Sequence, residues 1–319
     1  MNAAPGRSQS GEHHSPQGEA TPVCTATFSA DWLQLREPFD ATARDAAADE
    51  LQLVRRLASL RAGASQPLRV IDLACGTGAN LRWLAPRLGG AQQWLVVDHD
   101  ADLLRCWPER LNAVEGTHTG PDKGLHQPLS FSGPGFDADI VRQQIDLMAR
   151  LESLPWHAAD LVTASALLDL VGSTWLHRLV SASAASGVAL LMSLNVDGRH
   201  VWAPEDPADA TVDRLFGEHQ RQDKGLGPAL GAGAVAALKQ SLEAAGYRVF
   251  TAASDWWVDG RTCPQALSMQ CALIEGLAAA CEQSPATTAS IEAWRKRRLA
   301  IAAHSQLRVG HLDLLALPA

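Results

Sequence analysis

The stretch Arg69-Val-Ile-Asp-Leu-Ala-Cys-Gly-Thr-Gly-Ala-Asn-Leu81 decides the fold. Val70 and Ile71 make a β-branched apolar run that reads as a buried strand, and the residues from Leu81 to Leu88 have helical apolar spacing. Between them, Gly76 and Gly78 let the backbone turn tightly and approach a ligand. A strand, a glycine turn and a helix in this order build a nucleotide-type cofactor site. Asp72 narrows the choice of cofactor. A carboxylate at the strand end, followed by Gly-x-Gly without a third glycine, repels a pyrophosphate and suits a cationic, polar group. The turn therefore points away from a nicotinamide dinucleotide, because Asn80 and Leu81 stand at the helix start without a further glycine.

Working outward, the chain of 319 residues is 46% hydrophobic and 19% charged, enough for a sizeable core. The expectation is a disordered tail over 1–27, then a single α/β domain over 28–319. The tail is rich in Gly, Pro, Ser, His and Gln and lacks the apolar core of a signal peptide, and His13-His14 within it reads as solvated. A net charge of -8 and a pI near 5.7 give no general attraction for nucleic acid. The six cysteines, Cys24, Cys75, Cys106, Cys263, Cys271 and Cys281, form no Cys-x-x-Cys pair and read as reduced thiols. Charges, prolines or glycines interrupt every apolar run short of membrane-spanning length, so a cytoplasmic protein is expected.

Further along, Asp40 is placed to cap a helix running to about Leu60. Leu68 to Leu73 and Trp94 to Val97 read as successive parallel strands joined by a right-handed crossover, which puts the glycine turn and Asp98 at one sheet edge. Residues 113–136 resemble a surface insertion before a strand at about Ile140 to Ile145, closed by Asp146. A fourth strand is expected to end at Ser165 and a fifth near Asn195. A helix from Ala234 to Ala245 leads through Gly246 to a strand at Tyr247 to Thr251, and Gln306 to Leu317 reads as the last strand. Helical insertions at about 203–233 and 264–304 stand apart from this alternation.

Taken in order, these motifs resemble class I S-adenosylmethionine-dependent methyltransferases, over roughly Leu68 to Thr251 with the final strand beyond. The resemblance implies a Rossmann-like, doubly wound, seven-stranded sheet, mostly parallel with an antiparallel last strand. It implies S-adenosylmethionine as cofactor, held by Asp72, Ala74, Gly76, Thr77, Gly78, Asp98, His99, Asp146, Leu147 and Ser165. In that family the acidic residue ending the second strand, here Asp98, accepts hydrogen bonds from both ribose hydroxyls, and the later acidic position, here Asp146, meets the adenine amino group. The residues allow simpler roles as well: Asp72 ordering the loop amides, Asp98 capping a helix, Asp146 as a solvated turn residue. The string Asp98-His99-Asp100 offers no convergent metal set.

The acceptor end is less marked. Candidate bases are His219, Asp169 and His311; a base is needed only where the nucleophile must lose a proton. Asp169, Asn195, Arg221 and Lys224 are candidate substrate contacts, with Arg221 or Lys224 pairing an anionic group, and Asp197 and Arg199 are further pocket candidates. Arg36 and Arg44 are placed to cover the cofactor carboxylate, with a surface role as the alternative. Ten tryptophans stand against one tyrosine, and Trp256-Trp257 could stack on a flat acceptor, although tryptophan more often packs between helix and sheet. The reading that emerges is methyl transfer to a small-molecule acceptor, with no metal, nucleic acid or membrane partner. A non-catalytic cofactor-binding protein is the alternative, and a nicotinamide oxidoreductase a weaker one.

Overall fold

A computed structural model describes residues 28–61, 66–112, 124–125, 127–223, 225–281 and 288–319. The tail with His13, His14 and Cys24, most of the insertion at 113–136, and Lys224 lie outside the described residues. The first helix, α1 (Ala30–Glu50), begins eleven residues earlier than Asp40 would place it, because Ser29 supplies the cap by accepting from Trp32 N at 3.1 Å. Asp40 sits in mid-helix, where its carboxylate takes Arg36 Nε and Nη2 from the preceding turn. Gln52, in the left-handed conformation, then separates α1 from the short α2 (Leu53–Leu57), so no single helix reaches Leu60.

β1 (Leu68–Leu73) lies at the centre of the sheet, parallel to both neighbours and covered on both faces, which is why its sequence is nearly all apolar. It is followed by α3 (Ala79–Leu88), β2 (Gly90–Asp98), α4 (Ala101–Arg105) and α5 (Trp107–Asn112). Next comes a hairpin, β3 (Leu129–Gly133) and β4 (Phe136–Gln144), then α6 (Leu147–Arg150), β5 (Leu161–Ser165), α7 (Ser173–Ser186) and β6 (Ala189–Ala203). The remainder is α8 (Asp209–Gln220), α9 (Ala234–Ala244), β7 (Tyr247–Ala253), β8 (Trp256–Asp259), α10 (Pro264–Cys281), α11 (Thr288–Ile301) and β9 (Gln306–Pro318).

Among the described residues the sheet has nine strands in the order β3-β4-β2-β1-β5-β6-β9-β7, with β8 also on β9, rather than the seven expected. The parallel core and the antiparallel last strand are as the sequence implies, since β9 runs antiparallel to β6 and β7. The two additions have local causes. β4 starts at Phe136 rather than Ile140 and alternates buried Phe136, Ala138 and Ile140 with exposed Asp137, Asp139 and Val141, the pattern of a strand wet on one face; β3 pairs with it antiparallel. β8 exists because β6 does not stop near Asn195. Its pairing with β9 is irregular between Met192 and Asn195, where Asn195 Nδ2 donates to Met192 O and Leu312 O and Asp313 accepts from Leu194 N at 2.7 Å. Past this bulge β6 and β9 continue as an arm, and β8 joins its edge.

One face of the arm carries Trp202, Trp256, Val258 and Val309, packed under α8, α10 and α11 with Met269, Ile274, Ile291 and Trp294. The two segments expected as helical insertions thus share one apolar cluster. Two further clusters fill the faces of the main sheet, one around α3 and one around α7 and α9. Most of the tryptophans are packing material: Trp94, Trp107, Trp175 and Trp294 are fully buried, and Trp257 is the exposed exception at 69%. Cys75, Cys106, Cys263, Cys271 and Cys281 are free thiols. No helix among the described residues is long and apolar enough to cross a membrane.

Candidate functional site

A cavity of about 290 Å³ opens at the carboxyl ends of β1, β2, β4 and β5, where a doubly wound sheet places its ligands. Asp72, Ala74, Gly76, Thr77, Asp98, His99, Asp146, Leu147 and Ser165 all line it. Gly78 does not; it starts α3 in a left-handed conformation (φ 88°), and a Cβ there would meet the Trp107 ring at 3.0 Å.

The glycine turn is held from several sides. Asp98 Oδ2 accepts from Gly76 N at 2.8 Å, Trp107 Nε1 donates to Gly76 O at 2.8 Å, and Cys75 N donates to Val97 O. From the other side Arg82 donates to Thr77 O at 2.7 Å and pairs with Glu37 of α1 through both carboxylate oxygens. Leu33 of α1 lies over the turn, 3.2 Å from where a Cβ on Gly76 would stand. The turn is therefore a rigid floor, set before any ligand arrives.

Its carboxylates differ in what they already hold. Asp98 Oδ1 accepts from Asp100 N, and the helix cap that Asp98 could have made belongs to Asp100, which accepts from Asp102 N and Leu103 N. A carboxylate has about four acceptor positions, so two amide bonds leave Asp98 room for more. Asp146 is exposed at the mouth and caps α6 by accepting from Met148 N at 2.8 Å. Asp72 is buried and accepts only from Asn80 Nδ2 at 2.6 Å; its Oδ2 and Asn80 Oδ1 have no partner among the described residues. Burial pushes the Asp72 carboxyl up to about 7, against the pull of Asn80 and Arg44. His99 is raised from its ordinary value by its contact with Asp98, and burial raises the Cys75 thiol.

The opposite wall comes from α1 and from the segments after β5 and before α9: Phe28, Leu33, Arg36, Asp40, Leu167, Leu170 and Leu226. Asp40 there takes Arg36 and Trp256 Nε1, and Arg36 stacks over the Trp256 ring at 4.8 Å. Of the two arginines suggested for the cofactor, Arg36 lines the cavity, while Arg44 is buried behind it against Trp83. The role of Asp40 could have been read from the spacing Arg36, Asp40, Arg44, which falls on one helical face once α1 starts at Ala30.

The acceptor-side candidates are placed elsewhere. His219 lies in the last turn of α8 and Arg221 just after it, and neither lines the cavity. Asp169 sits on a 3-10 turn beside Leu170 but is not part of the lining. Asn195 is buried at the β6 bulge with its amide used by two backbone carbonyls. His311 is buried against Trp256, its Nδ1 at 3.0 Å from Val309 O, and burial lowers it to about 3, so it is neutral in the ordinary pH range. Asp197 and Arg199 pair with each other on the arm. These residues share polarity and a place after a strand, yet sequence carries no sign of which way the β6 bulge turns them.

No protein-family model matches the chain, and no curated protein matches its sequence. Solved structures do. A phosphoethanolamine N-methyltransferase 2 of Haemonchus contortus, bound to phosphomonomethylethanolamine and S-adenosylhomocysteine, is 13% identical with a TM-score of 0.39; the match covers 84% of this chain and 53% of that one. The chain thus spans about half the length of the nematode enzyme. A cyclopropane synthase of Mycobacterium tuberculosis is 11% identical (TM-score 0.44, 90% and 94% covered). An S-adenosylmethionine-dependent methyltransferase of Thiobacillus denitrificans, in complex with S-adenosylhomocysteine, is 14% identical (TM-score 0.36, 82% and 91% covered). In this chain an acidic strand end, a glycine turn and the carboxylates that close β2 and follow β4 meet at one edge of a mostly parallel sheet flanked by helices.

Proposed function

We propose that the chain binds S-adenosylmethionine in this cavity and transfers its methyl group to a small-molecule acceptor. One observation carries the reading: Asp72 Oδ2 is a buried, unpartnered acceptor beside a pinned glycine turn. A lone buried carboxylate oxygen is costly unless a donor comes to it, and the cofactor's ammonium is such a donor. Asp98, with acceptor capacity left, suits the two ribose hydroxyls, and Asp146 and Leu147 stand at the mouth for the adenine. Asp72, beside the glycine turn, would repel the pyrophosphate of a nicotinamide dinucleotide.

When bound, the cofactor supplies an activated methyl group. The protein's part is then to align the acceptor with it and to exclude water, and Phe28, Leu33, Leu167, Leu170 and Leu226 form an apolar wall suited to both tasks. An acceptor side built of α1 and loops favours a small molecule over a polymer. Calorimetric titration tests the cofactor: S-adenosylhomocysteine should bind and NAD should not, and the reverse result would end this reading. A metabolite screen with methyl-labelled S-adenosylmethionine tests the chemistry. A protein that binds the cofactor but labels nothing would be a binding protein instead.

A further inference from the structure

Arg36 lines the cavity from α1, and among the described lining residues it alone carries a fixed positive charge. Its guanidinium is held in both plane and direction. Asp40, one turn on, takes Nε at 2.9 Å and Nη2 at 3.1 Å, the side-on edge of the fork, and the guanidinium carbon stands 4.8 Å from the Trp256 ring centre. Asp40 is fixed in turn by Trp256 Nε1 at 2.9 Å, and Trp256 is buried. A guanidinium has five N–H groups, and this pairing uses two of them. The end-on edge, Nη1 with the second hydrogen of Nη2, has no partner among the described residues and is set in one orientation before a ligand arrives.

The strand order separates this edge from the cofactor positions. Asp146, Asp98 and Asp72 stand at the ends of β4, β2 and β1, whereas Trp256 belongs to β8, which pairs with β9 on the other side of β5 and β6. Arg36 leans on Trp256 and so stands toward the end of the cavity away from the ribose and adenine positions, the side that Leu167 and Leu170 wall after β5. We propose that Arg36 is the recognition residue for the methyl acceptor, and that the acceptor is an apolar organic carboxylate: its two oxygens sit on the end-on edge of the guanidinium and its hydrocarbon part against Phe28, Leu33, Leu167, Leu170 and Leu226. The proposal rests on the S-adenosylmethionine reading of the cavity. A planar carboxylate matches the two parallel N–H directions of that edge. Its single charge is also the one this wall can balance, since a phosphate dianion would bring a second charge to a cavity that already holds Asp40 and Asp72. The leucines and Phe28 take the hydrocarbon part out of water.

The test uses the protein saturated with S-adenosylhomocysteine and titrates in hexanoate, octanoate and phenylacetate beside hexanamide, octanamide and phenylacetamide, read by ligand-observed NMR. The carboxylates should bind about tenfold more tightly than the amides of the same shape, and Arg36→Gln should abolish that preference. Arg36→Lys, which keeps the charge and loses the planar edge, should retain only part of it. S-adenosylhomocysteine itself should bind Arg36→Gln within about twofold of the unaltered protein. If Arg36→Gln does not fold with Asp40 left unpaired, Arg36→Gln with Asp40→Asn takes its place, because the asparagine carbonyl still accepts from Trp256 Nε1. Amides that bind as tightly as the carboxylates, or carboxylates that do not bind at all, overturn the acceptor class while leaving the cofactor reading intact. A loss of about tenfold in S-adenosylhomocysteine affinity in Arg36→Gln, absent when decarboxylated S-adenosylhomocysteine is the ligand, assigns the edge to the cofactor's own carboxylate and also overturns the proposal. Failure of the unaltered protein to bind S-adenosylhomocysteine overturns both.

Discussion

The glycine-turn wall of the cavity and the β6-β9-β8 arm are built on opposite principles. The wall is polar and short in sequence: Asp72, Gly76, Thr77 and Asp98 lie on two consecutive strands and their turns, joined by hydrogen bonds between near neighbours in the sheet. The arm is apolar and long in sequence, bringing Trp202, Trp256, Met269, Trp294 and Leu307 together from five elements. Local chemistry makes the first a site. Non-local packing makes the second a scaffold, which carries Trp256 against Asp40 and so helps seat α1 over the cavity.

That contrast can be broken by mutation. The largest effect is expected in the arm. Trp294 is fully buried, meets Trp202 edge-on at 6.0 Å and donates to Asp209 at 2.8 Å, so Trp294→Ala should cost about 3–5 kcal/mol in denaturant unfolding. Its folded fraction should still bind S-adenosylhomocysteine normally; a proportionate loss of affinity would show that arm and wall are one unit. In the wall, Asp72→Asn should weaken S-adenosylhomocysteine by about 100-fold, because a charge-assisted bond becomes a neutral one.

The stability of the same variant should move the other way. The Asp72 carboxyl is raised from 3.8 to about 7, so between those values the folded chain keeps a proton that the unfolded chain releases. Stability from this group is therefore greatest below the lower value and falls as pH rises through the window. Asp72→Asn has no such slope, and its melting temperature should gain on the unaltered protein between about pH 5 and about pH 8. A constant difference would mean Asp72 is already ionised at the lower pH.

Smaller still, Asp98→Ala should weaken S-adenosylhomocysteine by about tenfold or more, since it removes an acceptor and frees Gly76 N. His219→Ala should change that affinity by less than about twofold, because His219 does not line the cavity. A larger loss would bring α8 into the site.

The wall was legible because its chemistry is written at short range. A carboxylate at a strand end and two glycines with positive φ leave a mark within ten residues, and nine of the ten expected cofactor contacts line the cavity. The acceptor side was not legible. Asp40 looked like a helix cap, since nothing near it in sequence shows Trp256 Nε1 arriving from 216 residues away. His219 and Arg221 looked like pocket residues from their place after a strand, and the actual wall is α1, Leu167, Leu170 and Leu226.

By itself, then, the sequence determined the alternation of strand and helix, the antiparallel last strand and the polar floor of the site. These follow from backbone periodicity and from residue types that permit only a few local geometries. Tertiary structure alone decided the two extra strands, the placement of α1 over the cavity and the enclosure of Arg44. Each depends on contacts between residues far apart in the chain, where apolar burial and charge balance fix the arrangement and no neighbouring residue records it.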